Sequence, residues 1–238
     1  MEIISLTVES NIAHFRQGFS TTSSLSYPFP TKTALVGFFG AILGIQRNEL
    51  FSFSNEIKVG LVMPKEYENR KVTFGRNYMF GKNSKVKAVA VWYNKKSGRL
   101  TSIPVTQQMI LFPTYKLFVK ISNDKQEELY KRLKNRSPVF FPYFGSNFAL
   151  ASWKNVEKRE MKKIKHGSEI QLDSVVPERC GDVLSWNQVF MIRIPKSKTG
   201  EMKVNEFENV FYTNPGKKLK CKTKEDIYEG GGECIALF

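Results

Sequence analysis

The sequence holds few of the residues on which most enzyme chemistry depends. There are two histidines, His14 and His166, and three cysteines, Cys180, Cys221 and Cys234. The cysteines are odd in number and widely spaced, with no CxxC pair, so neither a disulfide framework nor a zinc site is expected and the thiols should stay reduced. Asp and Glu do not cluster as a two-metal nuclease requires, and no GxxxxGK[ST], GxSxG or HExxH occurs. The longest apolar run, Ala34 to Ile45, is too short to cross a bilayer and is rich in glycine. The first ten residues carry Glu2 and Glu9 and lack the basic region of a signal peptide. These absences predict a soluble, cytoplasmic protein with no cofactor, no metal and no membrane attachment.

Positive charge, in contrast, is in excess. Against 22 acidic residues stand 37 Lys and Arg, a net charge of +15 on 238 residues. Such an excess repels itself in a compact fold and is best tolerated where a polyanion supplies the missing charge. It is also unevenly placed. Between Glu68 and Asp124 no acid occurs, while the same stretch carries Arg76, Lys82, Lys85, Lys87 and Arg99 among other bases, with Phe74, Tyr78, Phe80, Trp92 and Tyr93 between them. Cations neutralise phosphates, and exposed rings stack bases at ~1–3 kcal/mol each. Gly75 and Gly81 would let the backbone come close to a ligand. The alternative is a basic surface hairpin whose rings pack the core. Two further basic clusters, 154–165 and 217–224, read as solvated faces that can extend the electrostatic footprint.

Hydrophobic residues make up 41%, enough for a real core. Alternation over 3–8 predicts a first strand. Pro28 to Thr33 opens a helix with Thr31 or Thr33 as cap, and helical spacing continues to Leu43 through Gly37, Gly40 and Gly44. Three glycines suggest a helix lying close against a sheet or a ligand. Residues 57–63 predict a second strand, 86–105 a hairpin, and 117–121 another strand. Asp124 with Glu127 is read as a capping box, followed by a helix to about Asn135 in which Glu127 pairs with Lys131 and Glu128 with Arg132. A strand is expected between Phe148 and Glu160. The result is an α+β fold: a ferredoxin-like, RRM-like β-α-β-β-α-β domain over 1–165 with a long inserted β-hairpin thumb at about 70–112, and a small β-rich C-terminal domain over 166–238.

Two segments carry a resemblance. His14-Phe15-Arg16 followed by Tyr27-Pro28-Phe29-Pro30-Thr31-Lys32-Thr33-Ala34-Leu35-Val36-Gly37, and Pro142-Tyr143-Phe144-Gly145-Ser146-Asn147-Phe148-Ala149-Leu150-Ala151, resemble the fifth Cas family, a RAMP-superfamily subunit of type I CRISPR Cascade complexes. The resemblance implies that the ferredoxin-like domain grips the 5′ handle of the crRNA. It implies a thumb that reaches the backbone subunit, docking to the large subunit, and indirect contact with target DNA near the PAM. It also implies a non-catalytic subunit, although one branch of the family cuts precursor crRNA with a Tyr, Lys and His set, for which Tyr27, Lys165 and His166 are the residues present here. A metal-independent endoribonuclease and a generic basic RNA-binding module are the competing readings.

The candidate RNA contacts combine both lines of argument. Arg16 can pair with phosphate or sit in a surface salt bridge. His14 can stack on RNA or be satisfied in the core, and Phe15 and Tyr27 accompany it in the resembling segment. Thr31 and Lys32 open a helix whose free N–H groups favour anions. Arg76, Tyr78, Lys82, Lys85, Lys87 and Arg99 belong to the thumb, as do Gln107 and Gln108 on its return side.

Overall fold

A computed structural model of the chain describes residues 1–18, 23–64, 70–79, 102–198 and 204–238. The N-terminal part runs β1 (Glu2–Ser10), β2 (Ile12–Ala13), β3 (Ser23–Ser24), α1 (Lys32–Leu43), α2 (Leu50–Glu56), β4 (Lys58–Val62), β5 (Arg70–Met79), β6 (Ser102–Leu111), β7 (Thr114–Lys120), α3 (Asn123–Lys134) and β8 (Ala151–Glu160). The C-terminal part is all strand: β9 (Lys162–Lys163), β10 (Glu169–Leu172), β11 (Val176–Pro177), β12 (Gly181–Val183), β13 (Val189–Lys198), β14 (Val204–Thr213), β15 (Leu219–Thr223), β16 (Ile227–Gly230) and β17 (Glu233–Ala236).

Four strands form the central sheet in the order β4-β7-β1-β8, every neighbouring pair antiparallel. β1 is buried on both faces. Ile4, Leu6 and Val8 join the main core with Leu35, Phe38, Phe39 and Ile42 of α1 and Leu129 and Leu133 of α3. On the other face Ile3 packs with Phe118, Met161, Tyr228, Ile235 and Leu237. The C-terminal strands therefore cover the side of the sheet that the helices leave bare. They also close its β4 edge. Val59 and Phe238 exchange two backbone hydrogen bonds, and Val175 N–H donates to the Leu61 carbonyl. An open edge invites pairing with another chain, so this cover has a protective value. The main core runs on into Val175, Ile194, Val210 and Phe238, which ties the β-rich part to the rest by packing.

α1 starts where the sequence suggests. Thr31 caps it, its Oγ1 accepting from Ala34 N–H, and Gly44 ends it in the left-handed region at φ 80°. Gly40 has a separate reason, since a Cβ there would meet Leu50 of α2 at 2.7 Å. That second helix, α2, was not expected from the sequence. At α3 the capping box is not what forms. Ser122 is the N-cap without a side-chain bond, and Gln126 Oε1 accepts instead from Ile121 N–H. Glu127 turns away from Lys131 and pairs with Lys158 of β8, while the Glu128 to Arg132 pair forms as expected.

β5 and β6 make a long antiparallel ribbon in register from Arg70 opposite Leu111 to Met79 opposite Ser102. The hairpin expected at 86–105 thus has a return strand that continues to Leu111, and the part of the hairpin reading at 80–101 lies outside the described residues. β2 and β3 pair with β6 at the ribbon's base.

Candidate nucleic-acid interface

One face of α1 is bulky and buried; the other is small. Thr33, Ala34, Gly37 and Ala41 recur at helical spacing and floor an open groove of ≈ 880 Å³. A Cβ at Gly37 would meet nothing within 4 Å, so this glycine faces free space. Arg16 and Gly18 line one wall. Phe140 and Tyr143, 49% and 48% exposed, come from the connection after α3. Arg47 follows the end of α1, and Pro195, Val204 and Phe207 close the groove from β13 and β14. Rings and guanidinium groups around a small-residue floor suit a ligand with flat apolar faces and negative charge.

The two resembling segments meet at this wall. His14 N–H donates to the Phe144 carbonyl at 3.2 Å, and the Phe15 and Phe144 rings pack edge to face at 5.6 Å. Gly145 makes the approach possible. Its φ is 79°, and a Cβ there would lie 1.9 Å from the His14 carbonyl oxygen. No other residue type fits without moving one of the two chains.

His14 is buried and fully engaged. A carbonyl can only accept, so Nδ1–H donates to Gln108 O at 2.7 Å, and Nε2 of the neutral ring accepts from Ser24 Oγ at 2.9 Å. Burial pushes its pKa down from 6.5, with the charge of Arg16 acting the same way and the Gln108 bond opposing. Gln108 Oε1 also accepts from Ser26 N–H, and Gln107 is buried. These residues fasten the base of the β5–β6 ribbon to the strip that carries Arg16. The polar atoms of His14 and Gln108 thus serve the fold, and His14 at the same time borders the groove. Phe15 and Tyr27 likewise serve the fold, although Phe15, like His14, borders the groove. Both rings are buried in the core, and burial raises the Tyr27 pKa.

The other candidates sort by position. Arg16 is exposed, and no carboxylate of the described residues pairs with it. Thr31 and Thr33 line the groove at the start of α1, their hydroxyls 3.0 Å apart. Lys32 is half-buried. Burial lowers its pKa most; Arg179, Lys196 and Lys58 lower it further, against Glu208. Arg76 and Tyr78 stand on β5 opposite Val105 and Ile103. Lys82, Lys85, Lys87 and Arg99 lie outside the described residues. Lys165 and His166 are exposed between β9 and β10, whereas Tyr27 is buried in the core.

Sequence reasoning missed Arg47, Phe140 and Phe207 as groove-lining residues and did not single out Tyr143 as a contact. A usable signal was the run Val139-Phe140-Phe141-Pro142-Tyr143, too apolar for a solvated connection. Among the described residues no group of three or more His, Cys, Asp or Glu could hold a metal. Burial pushes the thiols of Cys180 and Cys221 up to about 12 and about 11. No described helix is long and apolar enough to cross a membrane.

The fold has solved counterparts. A chain entitled "CRISPR RNA-guided surveillance complex" superposes with a TM-score of 0.57 at 12% identity, with 92% of this chain and 91% of that one covered. A CRISPR protein from Archaeoglobus fulgidus superposes with a TM-score of 0.56 at 14% identity, covering 99% and 98%. At such identities the likeness concerns the fold alone. No curated protein gives a significant sequence match. A family model described as "CRISPR-associated protein (Cas_Cas5)" matches residues 3–200, a span that includes both resembling segments and the whole α1 groove floor. The chain belongs to this CRISPR-associated Cas5 family.

Proposed function

We propose that this protein is a non-catalytic RNA-binding subunit of a type I surveillance complex and that the groove over α1 holds the 5′ handle of the crRNA. The observation that carries this reading is the pairing of exposed Arg16 and Arg47 with half-exposed Phe140 and Tyr143 around a floor without bulky side chains. Cations hold the phosphates, rings hold the bases, and the small floor admits a ribose or base edge. The sheet order β4-β7-β1-β8, with α1 and α3 on one face, supports reading the scaffold as ferredoxin-like, with β5 and β6 as the thumb inserted between its second and third strands. The thumb's acid-free composition supports contact with the guide, and through it with a backbone subunit. Docking to the large subunit near the PAM, and a cytoplasmic setting, follow from the family role.

The test is binding of the full chain to a repeat-derived RNA. Arg16→Gln with Arg47→Gln should lower affinity at least tenfold and flatten its salt dependence, while an unrelated RNA of equal length binds more weakly to the native chain. Equal affinity for both RNAs would favour a generic basic module. Incubation with the same RNA in EDTA should leave it intact; a discrete cut lost on changing His166 would make the protein a metal-independent nuclease.

A further inference from the structure

Phe207 borders two cavities. One is the α1 groove. The other, of ≈ 570 Å³, lies against β13–β14 and is lined by Arg179, Arg193, Lys196, Lys224, Glu178 and Glu208, with Phe207 and Asn209 between them. Arg193, Phe207 and Asn209 reach it from the outer side of the ribbon, away from the main core, and Glu208 from the side of Ile194. On the outer side the side chains form a row. Met191 stands opposite Phe211, Arg193 opposite Asn209 and Pro195 opposite Phe207, so these positions share one side of the ribbon. Trp186 caps one end of the row, edge to face against Phe211 at 5.5 Å, and Arg193 lies 5.2 Å from the Phe207 ring centroid at the other.

Three features of this row are unlike an ordinary solvated face. Trp186 is 60% and Met191 58% exposed, a poor use of such side chains in water. Arg193 meets a ring and no carboxylate among the described residues. The two acids of the cavity are already engaged, Glu208 with Arg179 and Glu178 with Asn209. The remaining cations form open pairs, Lys196 with Glu206 at 3.1 Å and Lys224 with Asp182. Exposed pairs hold so weakly that a phosphate can displace either carboxylate.

We propose that the RNA strand held in the α1 groove continues past Phe207 onto this outer face, with Arg193 meeting a phosphate and Trp186 stacking a base. The proposal rests on the groove reading for one end of the strand. A guanidinium parked against an aromatic ring keeps its N–H groups free for an anion, and Trp186 lies farther along the same face, so charge and stacking alternate as a single strand requires.

The experiment uses the full chain and labelled oligoribonucleotides of about four and about ten nucleotides, a short and a longer length within what a compact module covers. Arg193→Gln and Trp186→Leu are measured singly; leucine preserves the apolar contact with Phe211 and removes the stacking face. The longer RNA should lose about fivefold to tenfold in affinity with each variant, the shorter RNA should bind unchanged, and Arg193→Gln should reduce the longer RNA's salt slope by about 0.7. The inference is overturned if both lengths respond alike, if neither responds, or if only a DNA of the same sequence shows the loss. Failure of the groove reading has a different signature: Arg16→Gln with Arg47→Gln would then leave the short RNA unaffected.

Discussion

Lysines and arginines cover two parts of this molecule, and their surroundings differ. Along β8, Lys154 meets Glu9 at 2.7 Å, Lys158 meets both Glu2 and Glu127 on the α3 side, and Arg159, turned to the other side of the sheet, lies between Glu157 and Glu233. Lys116 of β7 joins the same network through Glu233. Around the α1 groove, Arg16 and Arg47 are exposed and face no carboxylate among the described residues. A high positive total thus says little by itself. The paired region is in local balance and contributes little to any external field, whereas the groove keeps a surplus that an outside polyanion can neutralise. The difference locates function better than the density of basic residues along the chain.

The sharpest way to break the comparison is at its two glycines. Gly145→Ala places a Cβ against the His14 main chain in a left-handed conformation. It should cost ~3 kcal/mol or more, since ~1–2 kcal/mol of backbone strain adds to an overlap that main-chain atoms relieve only by shifting. Chemical denaturation reads this directly; a loss below 1 kcal/mol would mean that the wall between residues 14 and 145 is looser than its geometry. Gly37→Ala should do the reverse. With open space above it, alanine adds roughly 0.5–1 kcal/mol of helix stability, while a methyl group on the groove floor weakens RNA binding. Stability and affinity would then move in opposite directions, which a purely structural helix could not do.

Next in size is the charge itself. Removing Arg16 and Arg47 together should take the salt slope of RNA binding down by about 1.4, two phosphate contacts at ~0.7 each for a single strand. Thermal stability should hold within ~0.5 kcal/mol, as expected for exposed side chains without partners. A slope that does not move would place the phosphates elsewhere, on the thumb or the outer β13–β14 face.

A smaller effect is expected from His14. Its folded pKa lies below the ordinary 6.5 because the ring is buried, so the unfolded chain binds the proton more readily. The stability contributed by the neutral ring is complete above pH 6.5 and is lost as pH falls below it toward the folded pKa. Denaturation midpoints recorded from pH 7.5 to 5.5 should fall, and His14→Gln should flatten that part of the profile. A midpoint independent of pH over this range would show that the ring titrates freely, contrary to its bonds to Gln108 and Ser24.

Much of the fold was legible in the sequence. Strict alternation marks β1, β4 and β7, and Thr31 and Gly44 bracket α1, because these signals arise within a few residues. α2 was missed: its seven residues, Leu50–Glu56, are too few to show a period and are held by Phe53 in the core and by Leu50 against Gly40. The capping box failed because the helix starts earlier than its spacing implies: with Ser122 as N-cap, Asp124 lies inside the first turn, and Glu127 pairs with Lys158 of β8, a partner that sequence proximity cannot show. The site was legible by segment and much less so by residue. The resembling segments do form one wall of the groove, yet Phe15 and Tyr27 turn inward while Phe140 and Tyr143 turn outward. Which ring in an aromatic segment faces solvent depends on the tertiary position of α1, and no local pattern records that.

The smallest expected effect tests the paired half of the comparison. Lys154→Gln removes one cation from the β8 face and leaves Glu9 exposed to water. The pair is at the surface, where such contacts contribute ~0–1 kcal/mol, so stability should change by less than that. RNA affinity should stay within about twofold, because a lysine already matched by a carboxylate adds little to the potential felt by a strand in the groove. If this substitution weakened binding as much as losing Arg16 does, the ion pair would have to open on binding, and the boundary between paired and unpaired cations would not mark the edge of the RNA site.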